Sequence, residues 1–368
     1  MGWIVRAMRI AILALAASGP ARAQTEPANY YYRGLAYGSQ SVVNPLTAVL
    51  NSAYYTFQID NRGDDPFAVT YGIGFDNVLD NLIHPVRAIS DYGWGRFLTS
   101  EVFPNFDRKS AQWVPNYIGH VFGEGLVYRH DLEWYRYHGV PHPQAMALLS
   151  FWAGALLNEA VENGDYRGAN VDPIADCYIF NPIALVLFSS DRASRFLGRN
   201  LGLAYWPNQP AYDPVSHTLQ NTGYRTVFRV HPGRSRYGIF ATYGTQGLVG
   251  LSYKLSWRDR LTVAGGIAAT ELFETQDSTE ARQVTATTGP AAAIFLDRNN
   301  SLLASLSVTP DKLDRATLNV YPGVLGPRAF RPGFSLEWNA QDGLRFAVFF
   351  RMLPFGFAGH TERLEAKP

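Results

Sequence analysis

Cysteine is almost absent: Cys177 is the single one in 368 residues. A lone thiol excludes an intramolecular disulfide and the paired thiolates of a Cys-rich zinc site, and reads as a small buried hydrophobe. It lies far from the N-terminus, which argues against a lipoprotein anchor. Charge is scarce too, at 17% against a usual fraction of roughly 25%. Neither sign prevails, with 32 Lys+Arg against 31 Asp+Glu, so there is no electrostatic footprint for nucleic acid. Beyond the first two dozen residues no uncharged apolar run approaches the roughly 20 residues of a spanning helix. The two longest, 145–157 and 178–189, are short and are flanked or interrupted by Asn, Ser and acidic residues. Several catalytic motifs are missing as well: G-x-S-x-G, H-E-x-x-H and a phosphate-binding loop. Gly72-Ile73-Gly74 lacks the third glycine of a dinucleotide fingerprint, and a strand would turn Ser216 and His217 to opposite faces.

What is present begins with Arg6 and Arg9, an apolar stretch over 10–17, and Ala21-Arg22-Ala23 before Gln24. A positive flank, a short apolar core and an A-x-A site predict a Sec-type signal peptide over 1–23 and an exported protein. The remaining 345 residues carry 29 basic and 31 acidic side chains. A chain rich in Gly, Tyr and Phe and poor in Cys suits a Gram-negative cell envelope. Such a chain is either soluble in the periplasm or crosses a membrane as a barrel, the other architecture that satisfies its backbone in lipid.

The back of the chain reads as strands. Val249, Leu251, Tyr253, Leu255 and Trp257 alternate with Gly250, Ser252, Lys254 and Ser256, and Phe330, Pro332, Phe334, Leu336 and Trp338 alternate with Arg331, Gly333, Ser335, Glu337 and Asn339. Period two with one apolar and one small or polar face is a strand signature. Asp342-Gly343 then marks a hairpin into a strand over 344–352. Weaker candidates are 224–231, 237–243, 261–270, 284–296, 302–308 and 316–321. Ala53, Tyr55, Phe57 and Ile59 alternate in the same way and predict one early strand. Tyr253, Trp257, Phe330, Trp338 and Phe350 fall near strand ends, where membrane barrels carry aromatic belts. The expected fold is mostly β with a helical insertion: an antiparallel outer-membrane β-barrel carrying a helical plug or cap.

Between these parts the period changes to that of helices, expected over 76–89, from Pro115 to about 136, over 143–163, and over about 172–187. The expected organisation is a signal peptide (1–23), an N-terminal segment with the early strand (24–75), a helical unit (76–199), barrel-like antiparallel strands (200–357) and a polar, solvated tail (358–368) with His360, Glu362 and Arg363.

Within the helical unit Asn116-Tyr117-Ile118-Gly119-His120, Gly123-Glu124-Gly125, Tyr128, Arg136, Gly139, Glu159, Glu162, Asp176 and Asn181-Pro182 stand in order. Over 114–187 this pattern resembles the bacterial envelope family catalogued as domain of unknown function 3943. It departs at Asn158, where that family carries Trp, and at Ile183-Ala184, where it carries Gly. The resemblance implies secretion and an outer-membrane setting, and no established activity.

Read on their own, Asn116, His120 and Glu124 share a helical face at i, i+4 spacing, as do Asp172 and Asp176, while Glu159 and Glu162 are i, i+3. Converging helices bring such groups together as a polar network of Asn116, His120, Glu124, Tyr128, Glu159, Glu162, Asp176 and Asn181, each satisfying the others. The same set can act as acid and base, with His120, Glu159 and Asp176 as catalytic candidates, or hold an ion. Spacing alone assigns no metal ligands and no cofactor. The first functional expectation is an outer-membrane barrel in contact with lipid, serving as a channel, transport accessory or scaffold. The alternatives are an outer-membrane enzyme modifying lipid or lipopolysaccharide, and a soluble periplasmic binding module.

Overall fold

Asn44 opens the helical half by accepting the Thr47 N–H at 3.0 Å, and Pro45 then starts the helix Pro45–Ala53. The computed structural model describes residues 29–59, 64–104, 115–276, 282–309, 315–326, 331–339, 343–351 and 353–361. The expected signal peptide, Phe330, Glu362 and Arg363 lie outside the described residues. The cap overturns the expected early strand. The alternation over 53–59 belongs instead to the end of that helix and a 3₁₀ turn, Tyr55–Gln58, capped by Tyr54, whose ring meets that of Phe57 at a tilt with 5.0 Å between centroids.

The helix expected over 76–89 is two, Tyr71–Ile83 and Pro85–Tyr92, because a proline disfavours helical backbone in the residue before it, here His84. Pro143–Asn163 matches its expectation. Gly74 lets the Tyr71–Ile83 helix lie directly on that one: a Cβ there would meet the Ala160 carbonyl oxygen at 2.3 Å. Asp191–Asn200, unforeseen in the sequence, is capped by Ser190. Buried Arg129 and Glu133 bond at 2.8 Å on the helix Gly125–Tyr137. Glu133 also accepts the Tyr31 and Tyr32 N–H groups at 2.7 and 2.9 Å, and Arg129 reaches Asp191 at 2.6 Å, so this pair ties three separate segments together.

Thirteen strands form one sheet among the described residues. They are β1 (Ala204–Pro207), β2 (Ala211–Asp213), β3 (Thr218–Gln220), β4 (Tyr224–Val230), β5 (Tyr237–Tyr243), β6 (Gln246–Lys254), β7 (Asp259–Gln276), β8 (Arg282–Arg298), β9 (Ser301–Thr309), β10 (Arg315–Val320), β11 (Gly333–Asn339), β12 (Gly343–Phe349) and β13 (Gly356–Thr361). From β4 to β13 each strand pairs antiparallel with the next. β1 pairs with β4, β2 with β3, and β13 runs parallel to β2. β1 to β3 were too short and irregular to carry a periodic signal. β13 replaces part of the expected solvated tail, and His360 on it meets buried Asp213 at 2.6 Å.

Directly paired residues share a face. Following the register from β4 to β12, one row reads Val230, Ile239, Leu251, Val263, Ile294, Leu306, Leu318, Leu336, Phe346, and all but Leu318 are exposed. The row beside it, from β5 to β12, reads Gly238, Ser252, Thr262, Phe295, Ser305, Asn319, Ser335, Ala347, all buried. The exposed face is thus greasy, and the buried face is mostly small or polar. On the buried face Trp206, Val227, Phe240, Phe295 and Tyr321 form an apolar cluster reached by Val42.

The helices pack on the other face. Phe122 contacts Phe228 at 5.7 Å, and Tyr205 and Tyr224 join the helical core, while Phe228 and Thr226 share their face with exposed Val230 and Ile239. The helical unit flanks the sheet on the face carrying the exposed apolar row. The buried face instead receives Gly38–Val42, where Gln40 N–H donates to Ser301 Oγ at 3.1 Å.

Candidate functional site

Three short stretches of the helical half, Leu98–Val102, Pro115–Glu124 and Asp176–Phe180, are π-helical. Such turns are rare, commonly sit at functional sites, and close i→i+5 hydrogen bonds; here Phe103 N–H donates to the Leu98 carbonyl at 2.7 Å. Pro182, which has no N–H to continue an α ladder, follows the third stretch at the start of Asn181–Ser189. Each stretch carries part of one cluster: Glu101 on the first, Asn116, His120 and Glu124 on the second, Asp176 on the third. Gly125, at the junction of the second with its α-helix, lies so close to Phe188 that a Cβ would meet its ring at 2.4 Å. That close approach seats Pro115–Glu124 beside Asp176–Phe180.

His120 is the hub. Its Nε2 stands 3.1 Å from an Asp176 oxygen and its Nδ1 3.3 Å from a Glu124 oxygen. Glu159, from Pro143–Asn163, lies within hydrogen-bond reach of Asp176. One carboxylate oxygen each from Glu159, Asp172 and Asp176 falls within 4.8 Å of the others. Asn116 donates to the Glu101 carbonyl at 2.9 Å and to its carboxylate at 3.4 Å, and Ser100 Oγ donates to the same carboxylate at 2.9 Å.

Burial of so many acids has electrostatic consequences. Burial, then the neighbouring charge of Asp172, pushes Glu101 up to about 8. Burial raises Glu159 and Asp176 well above the usual carboxylate range, with Asp176 and Asp172 adding to it at Glu159 and His120 opposing it at Asp176. Burial alone would lower His120, but Asp176 and Glu124 overcome it and raise the imidazole to about 10. Burial, then Glu159 and Asp176, also raises the Cys177 thiol, so it is no nucleophile. A charged imidazole beside acids is a proton donor at neutral pH and not a base. With a side chain 19% exposed, His120 is also more open to the surface than either carboxylate it meets, Glu124 at 11% or Asp176 at 2%.

Of the residues singled out in the sequence, His120, Glu124, Glu159 and Asp176 meet, while Asn116 bonds to Glu101 instead. Asn181 is buried one π turn along from Asp176. Tyr128 does not join: its hydroxyl meets Ser189 at 3.3 Å and its ring packs on Phe151 in the helical core. Glu162 lies next to Glu159 in charge but also acts on Tyr55 and Tyr243 at the sheet. Glu101 was missed, since a single acid in Leu-Thr-Ser-Glu-Val carries no spacing signal. Compared with protein-family models, curated proteins and solved structures, the chain has no match in any of the three.

Proposed function

We propose that this chain is an exported outer-membrane β-barrel whose wall anchors the flanking helical unit, with the His120–carboxylate cluster as that unit's functional centre. The observation that carries the reading is the pair of rows across the sheet, apolar where exposed and small or polar where buried. In water this is inverted. Each Leu, Ile, Val or Phe side chain gains about 1.5–3 kcal/mol on leaving water, so a row with eight exposed members, broken only at half-buried Leu318, is costly unless lipid covers it.

Strand pairing supports closure. Residues 208–210 link β1 directly to β2, and 221–223 link β3 to β4, so the four short strands act as two antiparallel staves. With β5 to β13 that makes eleven. An odd number of alternating staves brings the first and last together running the same way, as β13 and β2 do. The aromatic cluster around Trp206, Phe240 and Phe295 fills the buried face at its level, which favours a scaffold over an open channel. The resemblance over 114–187 points to the same envelope setting.

Membrane fractionation with a heat-modifiability gel tests this reading. The expected result is an outer-membrane protein that migrates faster unboiled. A mature chain that stays monodisperse in buffer without detergent overturns it. A second reading, an enzyme acting on lipid, is favoured by where the cluster lies. The unit that holds it flanks the exposed apolar face, and neighbouring helices of that unit expose Leu79, Ile83, Val86, Ile183 and Val186. Lipid A profiles from cells with wild type and with His120→Ala test that reading, and identical profiles retire it.

A further inference from the structure

We propose that Glu159, Asp172 and Asp176 bind one divalent metal ion of the class that prefers oxygen ligands, with His120 holding the Asp176 carboxylate in place. Oxygens at about 2.0–2.6 Å from one ion stand up to about 5 Å apart, and these three carboxylates already bring oxygens within 4.8 Å of one another. They come from two separate stretches of chain, so the site exists only in the folded protein.

Clustered acids alone do not define a site, but neighbouring atoms point the same way. Glu124, 8% exposed, leans on the imidazole that holds Asp176, yet its Oε2 receives no N–H or hydroxyl. Asp176, 1% exposed, has Oδ1 in the same condition, and so does Oδ1 of buried Asn181. Buried acceptors are normally paired. Glu124, which acts on Asp176, and Asn181, which follows it at the end of the π stretch, thus add two bare acceptors to Asp176's own, and a cation supplies the positive charge that such acceptors lack.

The donor set argues for the kind of ion. Both His120 nitrogens already face carboxylates, at 3.1 and 3.3 Å. The three clustered ligand atoms are all carboxylate oxygens, which suits Mn²⁺, Mg²⁺ or Ca²⁺ better than zinc or copper. Hydrogen-bonding partners of this kind orient ligating carboxylates and tune affinity.

The test is a Mn²⁺ titration of the folded, EDTA-stripped protein, read by electron paramagnetic resonance. It applies to a detergent-held or a soluble form alike, so its outcome is separate from that of the membrane reading. The free-ion signal is expected to be lost up to one equivalent, with Mg²⁺ or Ca²⁺ competing. Asp172→Asn and Glu159→Gln should each weaken binding at least tenfold, and pulsed spectra should lack a directly bonded nitrogen. An undiminished signal, variants that bind like wild type, or a directly coordinated nitrogen overturns the proposal. If neither neutral variant folds, Asp172→Glu, which keeps the charge and displaces the ligand, takes their place under the same criterion.

Discussion

His360 Nδ1 stands 2.6 Å from the carboxylate of Asp213, tying the last described strand to one of the first. Asp213 is fully buried and also accepts the Val215 and Ser216 N–H groups, at 2.9 and 3.4 Å. The parallel pairing beside it spans only Gly356↔Ala211 and Phe357↔Tyr212, so the contact carries much of that seam. Asp213→Ala strands three donors and is expected to cost about 2 kcal/mol, with His360→Ala costing about 1 kcal/mol. The temperature at which the fast-migrating gel form disappears measures both, and an unshifted Asp213→Ala would remove the seam's importance.

Glu133 supports a different junction. Its carboxylate serves Arg129 and two backbone N–H groups while fully buried. Glu133→Ala leaves the Arg129 charge short of its main partner, and such losses cost about 3–5 kcal/mol. Limited proteolysis near residue 33 should accelerate in the variant; equal cleavage rates would count against the clamp.

Leu251 separates lipid from water as the surroundings of the sheet. It is 62% exposed, so Leu251→Arg is nearly neutral in water but costs about 2–4 kcal/mol on the lipid face of a barrel at mid-depth. Equilibrium unfolding from lipid vesicles reads the difference. A variant as stable as wild type there would place that row outside the membrane.

Asp131 makes stability depend on pH. Burial raises its carboxyl from 3.8 to about 8, and its Oδ1 finds no partner. The folded form keeps a proton that the unfolded chain releases above about 4, so this contribution is full below pH 4 and is lost as pH rises through 8. Melting curves from pH 5 to 9 should fall more steeply for wild type than for Asp131→Asn. Parallel slopes would show that Asp131 ionises normally.

Several strand positions and their faces could be read from period two alone, because each face of a strand meets a single environment: Tyr237–Tyr243 has its expected limits and 344–352 became Gly343–Phe349. Pro143–Asn163 was legible for the analogous reason, a proline start and an Asn-Gly end. The early strand failed because a side-chain cap at Asn44 and a 3₁₀ turn imitate alternation over a few residues. The site was half legible. Asn116, His120 and Glu124 announce themselves by i, i+4 spacing, whereas Glu101 and the exclusion of Tyr128 depend on which helices pack together.

Local patterning, then, determined the longer strands from β4 to β12 and the helix Pro143–Asn163 and which of their side chains share a face, since those depend on neighbours a few positions away. Tertiary structure alone decided that the helices lie against the greasy face and that Glu124 and Asp176 close on His120, with Glu159 and Asp172 beside Asp176 and Glu101 beyond them. Long-range packing sets both, and no short-range period encodes which surfaces will meet.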